Sequence, residues 1–276
     1  MARMFGFIGN RADLGPRIIA AHAELLRAHR SAGQAWGWGI GFNQSGEMLL
    51  RRRPLDDREV IDLSVEARGI RTDLLLSHVR TPRVGSLSTE NTQPFRYRGW
   101  LFAHAGTVVG FDRIRPKLLD LVPEFLRQNI MGDTDSEVLF YSFLALLHGA
   151  GHLAAAEVRA EGLRAALRET TELVDRLSHE AGLAAHTGNL LLADAECLLA
   201  VHREGTMATR VLEGRRALER IAAEDAPNAG RAQNLDNTRF CLVASEPDVL
   251  PADWTALPLG SITTLTRTHE PQVEPL

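Results

Sequence analysis

His148 and His152 stand four residues apart on a predicted helix face, the spacing at which two imidazoles can share a zinc ion. Zinc-assisted hydrolysis of that type also needs a glutamate directly after the first histidine, as general base. Gly149 stands there instead, and Gly151 weakens the helix. The pair is therefore not read as a metal site. Cys197 and Cys241 are far apart and each lies in an apolar, strand-like run, so both are expected to be reduced core residues. Gly37, Gly39 and Gly41 alternate with large apolar residues but open no helix, so they do not read as a phosphate cradle. Their expected use is backbone room beside a cleft, which Trp36 and Trp38 either line or back as core residues. Arg51-Arg52-Arg53 reads as a solvated strand edge. No metal and no cofactor is expected.

Residues of this kind act only where elements hold them. The pattern predicts a strand over 3–9 and a helix opened near Asn10 or Asp13, with Pro16 in its first turn. A hairpin follows: Trp36 to Phe42, a turn at Asn43-Gln44-Ser45-Gly46, then Glu47 to Arg52. Asp56 to Arg68 is expected to be helical. Strands are expected over Asp73 to Val79 and Trp100 to His104. Thr134 should cap a helix, with Glu137 placed to complete a capping box. A long amphipathic helix is expected over 154–181, from Val158, Leu163, Leu167, Val174 and Leu177 at helical spacing. Short strands then follow over 189–193, 197–202, 209–212, 239–244 and 262–267. Ala222 to Asn237 reads as a long loop. Strands and helices cluster rather than alternate, so the fold class is α+β. One domain is expected over 1–268, with a loose tail over 269–276.

The bulk composition is ordinary for a globular chain: 276 residues, 45% hydrophobic, 24% charged, net charge −4. That balance argues against a nucleic-acid partner, which would favour a basic face. No run approaches the ~20 apolar residues of a membrane span. The apolar stretch after Arg3 breaks at Asn10-Arg11, too early for a signal peptide. The expected location is the cytoplasm.

Four separated segments, taken together, carry a family resemblance. They are Ala2-Arg3-Met4-Phe5-Gly6-Phe7; Gly37-Trp38-Gly39-Ile40-Gly41-Phe42; Ser77-His78-Val79-Arg80 continuing through Glu90-Asn91-Thr92-Gln93-Pro94-Phe95 to His104-Ala105-Gly106; and Gly132-Asp133-Thr134-Asp135-Ser136-Glu137. In order and separation they resemble the class II glutamine amidotransferases. Val243-Ala244-Ser245-Glu246-Pro247 is similar to the family's last strand and turn. The resemblance implies the four-layer αββα sandwich of the N-terminal-nucleophile hydrolases.

The resemblance also implies roles. Arg80 would take the α-carboxylate of glutamine through its planar fork, and Asp135 the α-ammonium. Trp38, His78 and Thr81 would line the pocket. Position 2 is the family's nucleophilic cysteine, and here it is Ala2, which cannot attack a carbonyl. The family's oxyanion hole uses the asparagine side chain and glycine N–H of His-Asn-Gly; here Gly106 is kept and Ala105 replaces the asparagine. Trp36 and Gln93 also depart, standing where many members have aspartate and histidine. The expected protein binds glutamine or a γ-glutamyl compound, lacks the reaction, and serves as a binding or regulatory protein, with a protein partner open. Two alternatives stand beside it. One is an active amidotransferase or γ-glutamyl amide hydrolase in which Ala2 is an engineered replacement of cysteine. The other is a scaffold with an empty pocket.

Overall fold

Side chains that alternate along nearly every long strand divide the apolar residues between three layers of core. In the computed structural model, which describes residues 3–29, 36–81, 84–153, 160–223, 235–246 and 250–276, the chain begins with β1 (Arg3–Gly9), α1 (Gly15–Ala21), α2 (Ala23–Leu26) and β2 (Arg27–His29). Next come β3 (Trp36–Gln44), β4 (Glu47–Asp56), β5 (Val60–Asp62), α3 (Leu63–Glu66), β6 (Leu74–Arg80), β7 (Phe95–Tyr97) and β8 (Trp100–Thr107). Helices α4 (Phe111–Leu121), α5 (Glu124–Arg127), α6 (Asp135–Gly149) and α7 (Ala160–Glu180) follow. The chain continues through β9 (Thr187–Ala193), β10 (Cys197–His202), β11 (Met207–Glu213), α8 (Gly214–Ala223), β12 (Arg239–Ser245), β13 (Thr255–Ala256), β14 (Ser261–Thr266) and β15 (Gln272–Pro275).

Two antiparallel sheets result. One runs β13-β11-β12-β1-β6-β3-β4, the other β15-β14-β10-β9-β8-β7. Met4 and Ile8 of β1 and Leu74 and Leu76 of β6 meet Leu101 and Ala103 of β8, Leu191 of β9 and Leu198 of β10 between the sheets. The opposite side chains of the first sheet, including Phe5, Phe7, Leu75 and Val79, pack under α1 and α8. Phe102, Leu190, Leu192 and Leu199 of the second sheet pack under α4, α6 and α7. This period-2 division between two buried faces makes the order helix, sheet, sheet, helix, as expected. No helix among the described residues is long and apolar enough to cross a membrane.

The hairpin of β3 and β4 closes through Ser45 (φ 54°) and Gly46 (φ 89°), with Gln44 opposite Glu47. Two successive positive φ values give the tight turn that matches strand twist. Cys197 and Cys241 are buried free thiols. The expected helix over Asp56–Arg68 is corrected. β4 continues to Asp56, Val60–Asp62 pairs with β2, and only Leu63–Glu66 is helical. The reason is tertiary: the buried Asp56 carboxylate accepts bonds from Trp38 Nε1 (2.9 Å) and from the Arg58 backbone (3.1 Å) and side chain, which holds 56–58 out of a helix. The tail also differs from its expectation, because β15 pairs with β14 from Ser261 opposite Pro275 to Thr264 opposite Gln272. The first residues of the 154–181 helix, most of the 222–237 loop, and Pro247 lie outside the described residues.

Candidate functional site

Three elements from different layers end at one place. β6 delivers Arg80, β8 delivers His104 and Gly106, and the first turn of α6 delivers Asp135 and Ser136. Together with His78, Thr81 and Gln93 they line a cavity of about 40 Å³.

Arg80 is 4% exposed. Its guanidinium donates to backbone carbonyls: Nη1 to Ser86 (3.0 Å), Nη2 to Val84 (2.9 Å) and Gly85 (3.5 Å). Among the described residues it makes no contact ion pair, so a buried cation rests on neutral acceptors. Burial pulls its pKa down, while Asp133 and Asp135 oppose that shift.

Asp135 is equally buried. Its Oδ2 accepts the Val108 N–H (2.7 Å), and its Oδ1 accepts the Ser136 N–H (2.9 Å) and the Ser136 hydroxyl (3.3 Å). Thr134, not Asp135, is the N-cap of α6, its hydroxyl accepting the Glu137 N–H at 3.2 Å. Asp135 is thus free of capping and sits in the first turn, where the helix dipole favours a negative charge. Burial raises its pKa, against the bonds from Val108 and Ser136. The expected capping box is only half made. The Glu137 carboxylate turns to the N–H groups of Met131 (3.0 Å) and Gly132 (2.7 Å) and shapes the turn before α6.

The loops around the cavity are pinned by side chains of the 90–94 segment. Asn91 Nδ2 donates to Asp133 Oδ1 (2.5 Å) and to the Ser86 carbonyl (3.1 Å), and Asn91 Oδ1 accepts the Asp133 N–H (2.9 Å). Gln93 grips the His104 backbone twice, Nε2 to O at 3.0 Å and Oε1 from N–H at 2.6 Å. Arg52 donates to the Thr92 carbonyl (3.1 Å), so the middle of the arginine run braces this loop instead of lying in solvent. Gly39 makes the approach possible: a Cβ there would sit 2.0 Å from the Gln93 carbonyl oxygen.

The residues singled out by sequence fall as follows. Arg80, Asp135, Gly106, His78 and Thr81 meet at the cavity. Ala105 is half-buried, faces the inter-sheet core and stands opposite Asn189 across the ladder. Ala2 lies outside the described residues; its neighbour Arg3 pairs with Val79, one residue before Arg80. Trp38 does not line the cavity. Its ring is core and its Nε1 bonds Asp56, while Trp36 bonds the Arg58 carbonyl (3.1 Å). His104 is buried and hydrogen-bonded. His78 is buried, and neither ring nitrogen has a hydrogen-bond partner in good geometry among the described residues. Burial lowers the pKa of both rings to about 3. His148 is the penultimate residue of α6 and His152 lies beyond it, and no metal-type cluster occurs among the described residues.

Sequence reading missed His186. It lies 82 positions from His104, yet the two Nε2 atoms are 2.9 Å apart. No local pattern marks it, because the contact is made by β8 lying beside the start of β9.

The family model for class II glutamine amidotransferases matches residues 19–273. The probable glutamine amidotransferase DUG3 of Saccharomyces cerevisiae is 30% identical over 216 residues, covering 75% of this chain and 60% of that protein. The uncharacterized protein MJ1515 of Methanocaldococcus jannaschii is 30% identical over 122 residues, covering 42% of this chain and 32% of that protein. The chain therefore spans less than two thirds of the length of either relative. A glutamine aminotransferase class-II domain protein from Silicibacter pomeroyi superposes with a TM-score of 0.62 at 18% identity, with 99% of both chains covered. A predicted glutamine amidotransferase from Pseudomonas aeruginosa gives 0.60 at 19% identity, with 96% of this chain and 97% of that one covered. At these identities the solved structures speak for the fold.

Proposed function

The chain belongs to the class II glutamine amidotransferase family, and from that premise we propose that it keeps the family's grip on an amino acid and has lost the reaction. Its ligand is glutamine or a γ-glutamyl compound. Arg80 takes the α-carboxylate and Asp135 the α-ammonium. The carrying observation is that both charges are buried and neither makes a contact ion pair among the described residues. A buried charge without a contacting counter-charge is costly, and a zwitterion supplies both at once. On entry the carboxylate would replace the Val84 and Ser86 carbonyls on Arg80, exchanging neutral bonds for charge-assisted ones.

The reaction fails at two points. Ala2 offers no thiol, so no acyl-enzyme forms. Ala105 offers no amide donor, and one missing oxyanion donor costs about 2.7–4 kcal/mol of transition-state stabilisation. Both losses fall on turnover and neither on the charged ends of the ligand. A protein with this division of function acts as a sensor or a regulatory subunit, with a separate protein as its partner.

Calorimetry with L-glutamine tests the grip: binding is expected, and Arg80→Ala should abolish it. A protein that takes up no amino acid would instead be a scaffold. A sensitive glutaminase assay should read background, and Ala2→Cys combined with Ala105→Asn should revive hydrolysis. Clear turnover by the unaltered sequence would overturn the loss of chemistry.

A further inference from the structure

We propose that His186, acting through His104 and Ser136, positions the Asp135 carboxylate for the α-ammonium of an amino-acid ligand. The inference rests on the reading that Asp135 meets that ammonium. The chain of contacts is continuous. Arg203 Nη1 lies 3.3 Å from His186 Nδ1, His186 Nε2 lies 2.9 Å from His104 Nε2, His104 Nδ1 lies 2.9 Å from Ser136 Oγ, and Ser136 Oγ lies 3.3 Å from Asp135 Oδ1.

A guanidinium only donates, so the direction of every link follows. His186 Nδ1 accepts from Arg203, which leaves the proton on His186 Nε2. That proton is donated to His104 Nε2, which leaves His104 protonated on Nδ1. His104 Nδ1–H then donates to the serine oxygen, and the serine hydroxyl donates to Asp135. Protonating His104 fully would set two N–H groups against each other at the Nε2–Nε2 contact, and protonating His186 would set its Nδ1–H against the Arg203 donor. Burial holds both rings neutral by lowering their pKa values.

The far end is anchored. Arg203 pairs with Asp175 of α7 (Nη2 to Oδ2, 2.7 Å), and Asp175 Oδ1 also accepts the His186 N–H at 2.9 Å. Two glycines leave space for the ring contact. A Cβ at Gly106 would lie 2.6 Å from His104 Nε2, and one at Gly188 would lie 2.7 Å from it. His186 does not itself line the cavity and reaches it through His104, so it acts as a positioning residue.

Two measurements on the full chain test this. Long-range ¹H–¹⁵N spectra without ligand should show His104 as the Nδ1–H tautomer and His186 as the Nε2–H tautomer; an Nε2–H form of His104 overturns the chain. Calorimetry then compares L-glutamine with glutaramate, which keeps the carboxylate and the amide but lacks the ammonium. His186→Phe should weaken L-glutamine about tenfold, the scale of a lost bond to a charged network, and leave glutaramate within about twofold. His186→Gln, which returns an N–H near the Nε2 position, should recover most of the loss. Equal weakening of both ligands would make His186 merely structural and would sink the proposal. Unchanged L-glutamine affinity in His186→Phe, beside a wild type that binds, would overturn this inference alone. A wild type that binds neither ligand would overturn the binding reading as well, whatever tautomers the spectra show.

Discussion

Arg80 and Asp135 are charges held where charge is expensive, and in the function proposed above the pair meets the two charged ends of an amino acid. Asp135 has its pKa raised by burial, so it takes up a proton more readily than an exposed aspartate. Only the ionised form attracts an ammonium. Glutamine affinity should therefore fall on acidification at a pH above the ordinary aspartate value, and stay level at higher pH, where Asp135 is ionised. Calorimetry across that range checks it; a decline that begins only at the ordinary carboxylate pKa would contradict the raised value. At this scale the two charged residues were legible, because short segments flank each of them. Asn91 and Gln93 were legible as members of a segment but not as braces. Their partners, Asp133 and the His104 backbone, come from loops and strands 11 to 42 positions away. His186 was not legible at all.

Elements decide how close those residues come. The sheet edge around β3 and β4 approaches the 90–94 loop because Gly39 has no side chain, its virtual Cβ meeting the Gln93 carbonyl at 2.0 Å. That neighbour is backbone and cannot swing aside. Gly39→Ala should destabilise the protein by about 1–3 kcal/mol and loosen the Gln93 grip on His104, read as a lower urea midpoint with weaker glutamine binding. An unchanged midpoint would mean that the loop yields freely. The Asp56–Arg68 segment is where local propensity misled. Its polar and apolar spacing suits a helix, but the buried carboxylate of Asp56 and the pairing of β5 with β2 override a weak local preference. Helix α4 was not singled out either; Pro116 stands inside it and interrupts the helical signal. β15 escaped because an edge strand of four residues, preceded by Pro271 and ending on Pro275, has no pattern of its own.

Over the whole molecule, burial of neutral histidines ties stability to pH. His22, His78 and His104 have pKa values lowered by burial to about 4, about 3 and about 3. Their folded values lie below the unfolded one, so the unfolded chain binds more protons. Stability is complete above the unfolded value near 6.5 and is lost as pH falls from there toward the folded values. With His186, whose pKa burial also lowers, four such groups give a slope of up to about 5 kcal/mol per pH unit, and chemical denaturation between pH 7 and 5 should show the midpoint falling. A midpoint that stays flat over that range would refute neutral burial of these rings. The α+β class is the part of this protein that the order of its elements determined alone; the four layers were expected from the family resemblance. In the structure β1, β6, β9, β10 and β12 are buried on both faces, and a strand with two buried faces must be covered twice. Sequence also determined which charges are present and that alanine stands at positions 2 and 105. Only tertiary structure decided that Arg80 rests on neutral carbonyls, that Trp38 serves the core, and that His186 reaches His104. Those outcomes depend on which distant strands lie side by side, and a hydrogen bond across 82 residues leaves no periodicity to read.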